Sequence, residues 1–275
     1  VFEKPFKVEP VYEWWPTPDN YRRYPGGEGL PEKIKVWRVQ KMSDEPGRLP
    51  RPSGVVSRSW GFEDSPDAEV LVAGYNVGKE NGAVAVGRHG NVLQWGFSAP
   101  PSEMTDAGKT LFLNCICTIS KFDGKGPLIR RESSHRFEPI RLAMAMSYIK
   151  DDDFFSGTFE AELKKKYGRD WQGLMKYYQD NYELIYREGP YRVDDELKSL
   201  GISSNRKAET LEKLIALLRD TERAPTARRL LHRYTLQSFE TADEWQTWFM
   251  KNRGRIYFSD VGGYKFRVVP EGYLD

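Results

Sequence analysis

The chain has 275 residues, 39% of them hydrophobic, enough for the core of one large domain or two ordinary ones and too much for an intrinsically disordered chain. Its 42 Lys and Arg against 40 Asp and Glu give a net charge of +2, which excludes the broad basic field of a non-specific nucleic-acid binder. No run of about 18 apolar residues occurs, so no membrane span is expected, and a start at Val1-Phe2 without Met reads as a processed product.

Residues 1–32 set Tyr12, Trp14, Trp15, Tyr21 and Tyr24 among Pro5, Pro10, Pro16, Pro18, Pro25 and Pro31. Proline at that density blocks regular helix, which predicts an extended arm packed on the body of the protein through Tyr12, Trp14 and Trp15. Ile34, Val36 and Arg38 alternate with Lys33, Lys35 and Trp37, the period of a strand. A polar, Pro-rich loop is expected over 41–53, then strands over 54–60 and 70–75. Two β-prone runs, 83–86 and 92–95, flank Gly87-Arg88-His89-Gly90-Asn91 and predict a hairpin. After Pro100-Pro101, Ser102 or Thr105 can cap a long helix with Met104, Ala107, Leu111, Cys115, Ile119 and Phe122 on one face. Cys115 and Cys117, two apart on that helix, point to different sides and cannot bond to each other.

Asp123-Gly124-Lys125-Gly126-Pro127 stops the helix, and a boundary is placed there, dividing 1–126 from 127–275. Helices are expected over 139–149, 158–167, from Asp170 along Trp171, Leu174, Tyr178, Tyr182 and Ile185, and over 194–200, 205–219 and 226–234. Thr241-Ala242-Asp243-Glu244 is a capping box for a helix burying Trp245, Trp248 and Phe249. A hairpin of 256–258 with 264–268 closes the chain. The fold class is therefore α+β, a small N-terminal sheet region with one long helix followed by a mainly helical region closed by a β-hairpin.

Motifs with chemical meaning are few. Gly87-Arg88-His89-Gly90 has the spacing of a backbone-clamping loop that joins two helices, but its flanks are β-prone, so a turn is expected, with Arg88 and His89 at its tip to meet an anionic or polar ligand. Gly74 to Lys79 is one residue short of a phosphate loop. Asp151-Asp152-Asp153 offers oxygen ligands for calcium but lacks the alternation and glycine of an EF-hand, and reads as a solvated first turn. Glu63, Asp64, Asp67 and Glu69 supply carboxylates without a separation that defines a reaction. His89, His135 and His232 are scattered, with no zinc spacing, no Gly-x-Ser-x-Gly elbow and no cofactor motif, so neither metal nor cofactor is expected. Residues 203–233 carry eight basic against four acidic residues, which suits either a polyanion or partner, or a solvated helix face.

Residues 69–124, in particular Gly87-Arg88-His89-Gly90-Asn91, Gln94-Trp95-Gly96-Phe97, Met104-Thr105 and Phe112-Leu113-Asn114, resemble the closing hairpin and last helix of the trehalose-utilisation (ThuA-like) family, relatives of class I glutamine amidotransferases with a flavodoxin-like sheet. Arg233-Tyr234-Thr235, Phe239, Trp245-Gln246-Thr247-Trp248 and residues 252–266 resemble terminal segments of large secreted bacterial proteins with helical repeats, which implies a periplasmic or secreted setting. Two functions follow as expectations. One is a non-catalytic interaction module contacting carbohydrate or a partner protein. The other, implied by the ThuA-like resemblance, is an enzyme acting on a sugar or polar metabolite, with Arg88 and His89 orienting an oxygen and Glu69 as base. The candidate ligand-binding residues are Arg88, His89, Trp95, Trp14 and Trp15, and no catalytic residue is assigned.

Overall fold

Prolines near the N-terminus fall at the ends of elements rather than inside them. Tyr12-Glu13-Trp14-Trp15-Pro16 forms β1 (Tyr12–Pro16), antiparallel to β2 (Lys33–Trp37). Pro16 ends β1, where a missing N–H removes no interior ladder bond, and Pro18 precedes the short helix α1 (Asp19–Arg23). The expectation of an arm without sheet or helix is thus corrected: aromatic and β-branched residues between the prolines are enough for pairing. The computed structural model describes residues 1–23, 27, 29–41, 54–75 and 78–274, so the 42–53 part of the expected loop lies outside the described residues.

The chain divides into two compact units, Val1–Glu63 with Asp67–Leu128, and Asp64–Pro66 with Ile129–Asp275. In the first unit the expected strand over 54–60 is replaced by isolated bridges, Gly54 to Phe97 and Ser57 to Val84, followed by helix α2 (Trp60–Glu63). Gly54 adopts φ 140°, and a side chain there would collide with the Gly96 carbonyl, so the close approach of the two segments requires glycine. Strands β3 (Ala68–Ala73), β4 (Val84–His89) and β5 (Val92–Trp95) form one antiparallel sheet in the order β3-β4-β5. Central β4 is buried from Val84 through Arg88. The strand therefore runs through the expected bracket, and the turn shrinks to Gly90-Asn91, with Gly90 at φ 55°. Every pair of named strands is antiparallel, so no doubly wound parallel sheet forms among the described residues.

Helix α3 (Asp106–Ile119) is capped by Thr105, whose hydroxyl accepts from Gly108 N at 3.0 Å. Met104, expected on the helix, precedes the cap and bridges Gln40. Two bonds fasten the end of β2 to this cap: Thr105 N donates to the Val39 carbonyl at 2.9 Å and Lys41 N to the Glu103 carbonyl at 2.8 Å. Gly108 permits the approach, because a Cβ there would lie 2.3 Å from the Val39 oxygen. Buried Asn114 pins the N-terminal segment: its amide donates to the Val1 and Phe6 carbonyls, both at 2.6 Å, and its carbonyl accepts from Phe6 N at 3.1 Å. The segment packs through Val8 and Tyr21, both buried, while Tyr12 is 49% and Trp14 65% exposed. The rings expected to fasten the arm therefore face outward at these two positions.

The second unit carries α4 (Glu138–Ala145), α5 (Ala161–Tyr167), α6 (Trp171–Asp180), β6 (Ile185–Arg187), β7 (Tyr191–Val193), α7 (Asp195–Ser199), α8 (Ala208–Leu217), α9 (Ala224–Thr235), α10 (Ala242–Asn252), β8 (Ile256–Ser259) and β9 (Lys265–Val268). Helix α6 ends before Tyr182, and Ile185 enters the β6–β7 hairpin around Gly189, correcting the longer aromatic helix. Leu174, Tyr178, Leu211, Leu214, Leu230, Tyr234, Trp245 and Phe249 lie in one apolar core, each removed from water by a helical stripe. The capping box forms as expected, with Thr241 Oγ1 accepting from Glu244 N and the Glu244 carboxylate accepting from Thr241 N.

Candidate functional site

The antiparallel register of β1 and β2 sets Tyr12 opposite Trp37, Trp14 opposite Lys35, and Pro16 opposite Lys33. Because side chains alternate across a strand, these six share one face. The Lys35 ammonium lies 3.9 Å from the centre of the Tyr12 ring, a cation–π contact that holds its position beside exposed Trp14. Trp37 turns toward the interior and meets Phe2 edge-on at 6.3 Å. On the opposite face Trp15 Nε1 donates to Glu13 Oε2 at 3.0 Å, and the Arg38 guanidinium lies 4.9 Å from the Trp15 ring centre. Arg38 Nε also donates to Glu13 Oε1 at 2.8 Å, and these bonds, Arg38's foremost, hold the Glu13 carboxyl below its ordinary pKa.

These strands border a cleft of about 1370 Å³ within the first unit. Its aromatic lining includes Tyr12, Trp14, Trp15, Tyr21 and Tyr75, and its polar lining includes Gln40, Asn81 and Ser102. Tyr75 is 42% exposed and meets buried Tyr21 edge-on at 6.0 Å, which adds a second ring pair to the lining. The charged side chains in the described lining are Lys33, Lys35, Arg38, Lys41 and Glu103. Flat apolar faces next to hydrogen-bonding tips suit a ligand that presents C–H faces and hydroxyls together.

Of the residues singled out from the sequence, Trp14 and Trp15 line this cleft, whereas Arg88, His89 and Trp95 lie elsewhere in the unit. Trp95 packs edge-on against Phe97 and Phe112 at 5.1 and 5.0 Å. Arg88, Glu69, His89 and Asp67 do come together at one end of the β3–β4 pair. Arg88 is 5% exposed, donates to the Gly90 carbonyl and to Glu69 Oε1, both at 3.0 Å, and covers the Phe122 ring at 3.8 Å. His89 Nε2 lies 3.4 Å from Asp67 Oδ1, while Asp67 Oδ2 accepts from Leu128 N at 2.9 Å. The glycines of this motif have steric causes: a Cβ at Gly87 would meet the Phe62 ring at 2.4 Å, and one at Gly90 the Lys125 carbonyl at 2.6 Å.

Much of the acidic and basic runs is bonded internally. Asp152 pairs with Arg169 and Asp151 accepts from Asp153 N, and no group of three His, Cys, Asp or Glu suited to a metal occurs among the described residues. In the basic segment Arg206, Arg219, Arg223, Arg229 and Arg233 each pair with a carboxylate. Among the described residues no helix is long and apolar enough to cross a membrane.

The cations of the cleft escaped the sequence reading. Lys33 and Lys35 register there only as the polar half of a strand pattern, and their partners Tyr12 and Trp14 lie about twenty residues earlier. The pairing register that joins the two runs is not written in either one. Comparison with protein-family models, with curated proteins and with solved structures finds no match to the chain.

Proposed function

We propose that this protein is a non-catalytic module that contacts carbohydrate through the cleft beside β1 and β2. The observation that carries this reading is the exposure of Trp14 and Tyr12 on a paired, backbone-bonded sheet face bordering a cleft with aromatic and polar lining. Burying large aromatic side chains stabilises a protein by roughly 1.5 to 3 kcal/mol each, so leaving two of them outside a well-packed unit forgoes stability that a ligand can recover. A pyranose offers such rings its C–H face, and its hydroxyls suit Gln40, Asn81 and Ser102 in the lining of the same cleft. The resemblance of 233–266 to secreted bacterial proteins supports an extracytoplasmic setting.

The enzyme reading, which rests on the ThuA-like resemblance, requires Arg88, His89 and Glu69 to meet a substrate. The internal bonds of that cluster favour the binding module instead, since Arg88 is already committed to Gly90, Glu69 and the Phe122 ring. The test is retention on a glycan panel with parallel assay for product release. Binding without turnover is expected. Turnover that disappears in His89→Ala, with the melting temperature unchanged, would transfer the function to the Arg88 cluster.

A further inference from the structure

We infer that the carbohydrate taken by this cleft is acidic, a glycan bearing carboxylate or sulfate groups. The inference rests on the carbohydrate reading and adds the charge of the ligand to it. Lys33 and Lys35 project from the same face of β2, two residues and therefore about 6.8 Å apart along the strand, directly opposite Pro16 and Trp14. Lys41 adds a third ammonium to the lining. None of the three lysines enters an ion pair among the described residues, and the one carboxylate in the described lining is Glu103.

Several arginines of the second unit pair with carboxylates, as Arg206 with Glu183 and Arg219 with Asp243. What sets the cleft lysines apart is their gathering: three ammonium groups, none paired with an acid among the described residues, belong to one lining beside aromatic rings. An anion seated among three ammonium groups is attracted by all of them at once. A neutral sugar would stack on Trp14 without using these groups.

The kind of cation also bears on the kind of anion. Phosphodiester backbones are commonly gripped by the planar fork of arginine, and the arginine here, Arg38, directs Nε and Nη2 at Glu13. The other three cations in the described lining are lysines, point charges on flexible stems that can follow anionic groups spaced along a sugar chain beside the rings. The Lys35 ammonium over the Tyr12 ring, with Trp14 paired opposite Lys35 across the strands, places stacking and charge side by side.

The experiment compares acidic glycans with their charge-neutralised forms on the full chain by isothermal titration calorimetry: oligogalacturonate against its methyl ester, and a sulfated oligosaccharide against its desulfated form. An oligothymidylate is the third probe. At least one acidic form is expected to bind roughly tenfold tighter than its neutral counterpart at low salt. The difference should vanish near 1 M salt, where the screening length falls to about 3 Å. A Lys33→Gln/Lys35→Gln variant should bind the acidic form no better than wild type binds the neutral one, with unchanged melting, because both lysines are exposed. Equal affinity for neutral and acidic forms would overturn the inference and leave the carbohydrate reading standing. Failure of every glycan to bind would remove both, and oligothymidylate binding as tightly as any glycan, with the same loss in the variant, would reassign the cleft to single-stranded nucleic acid.

Discussion

Arg136, with no exposed surface, clasps Asp260 through Nη2 to Oδ1 at 2.6 Å and Nε to Oδ2 at 2.7 Å, and its own backbone N–H donates to Oδ2 at 3.0 Å. The pair joins the loop before α4 to the turn after β8, positions more than a hundred residues apart in the chain. Burial by itself would raise the Asp260 carboxyl, but the adjoining guanidinium outweighs it and holds the pKa below the ordinary value. His135 adds Nε2 at 3.4 Å from Oδ2.

Removing one member of such a pair strands a charge in the interior. Arg136→Ala is expected to lower unfolding free energy by roughly 3 to 5 kcal/mol in urea titration. A loss below about 1 kcal/mol would show that the turn after β8 is held by its packing alone.

Two carboxyls give this unit opposite pH responses. Asp64 is pushed up to about 7, first by burial and then by the charge of Asp260, although its Oδ2 accepts from Asp260 N at 2.7 Å. Its folded state holds a proton that the unfolded chain has released near pH 4, so the stability it contributes is fully present below about pH 4 and is lost as pH rises to about 7. Glu183 is drawn down to about 2, chiefly by its hydrogen bond from Arg206, so its contribution is present above about pH 4.5 and lost as pH falls toward 2. Asp64→Asn should therefore flatten the decline in stability between pH 4 and 7, and Glu183→Gln should flatten the acid limb. Parallel pH profiles for wild type and Asp64→Asn would contradict the assignment.

Thiol chemistry separates the two cysteines of α3. Cys115 is 1% exposed, and burial pushes its thiol up to about 11, whereas Cys117 is exposed. Because the thiolate is the reactive form, the native protein should titrate with one equivalent of a thiol reagent rapidly and the second only on unfolding. Fast modification at Cys115, identified by peptide mapping, would mean that α3 does not pack as described.

The capping box at the start of α10 is open to a direct substitution. Thr241→Ala removes the acceptor for Glu244 N and is expected to cost about 1 kcal/mol of stability, read as a lower melting temperature. An unchanged transition would mean that the packing of Trp245 and Phe249 fixes the helix without its cap.

Legibility of the sequence followed the range of the forces involved. The α10 capping box, the Thr105 cap and the closing hairpin depend on residues within a few positions of one another, and all three are readable as patterns. The apolar spacing of α6 continues through Tyr182 and Ile185 and so predicts a longer helix, yet Ile185 is buried in the β6–β7 hairpin instead. The short strand β1 was hidden by flanking prolines, since its pairing with β2 depends on residues about twenty positions away. Composition singles out Trp14 and Trp15, whereas the placement of Lys33, Lys35 and Tyr75 in the same cleft lining depends on pairing that no local pattern carries.

The most direct measurement of the central claim is side-by-side retention of wild type and Trp14→Ala on a glycan panel, with melting curves for both. Trp14 is 65% exposed, so its removal should leave the fold intact. A stacked aromatic contributes about 0.5 to 1.5 kcal/mol beyond its buried area, so affinity should fall roughly tenfold for every glycan that wild type retains. Equal retention of the two proteins at equal melting temperature would contradict the account.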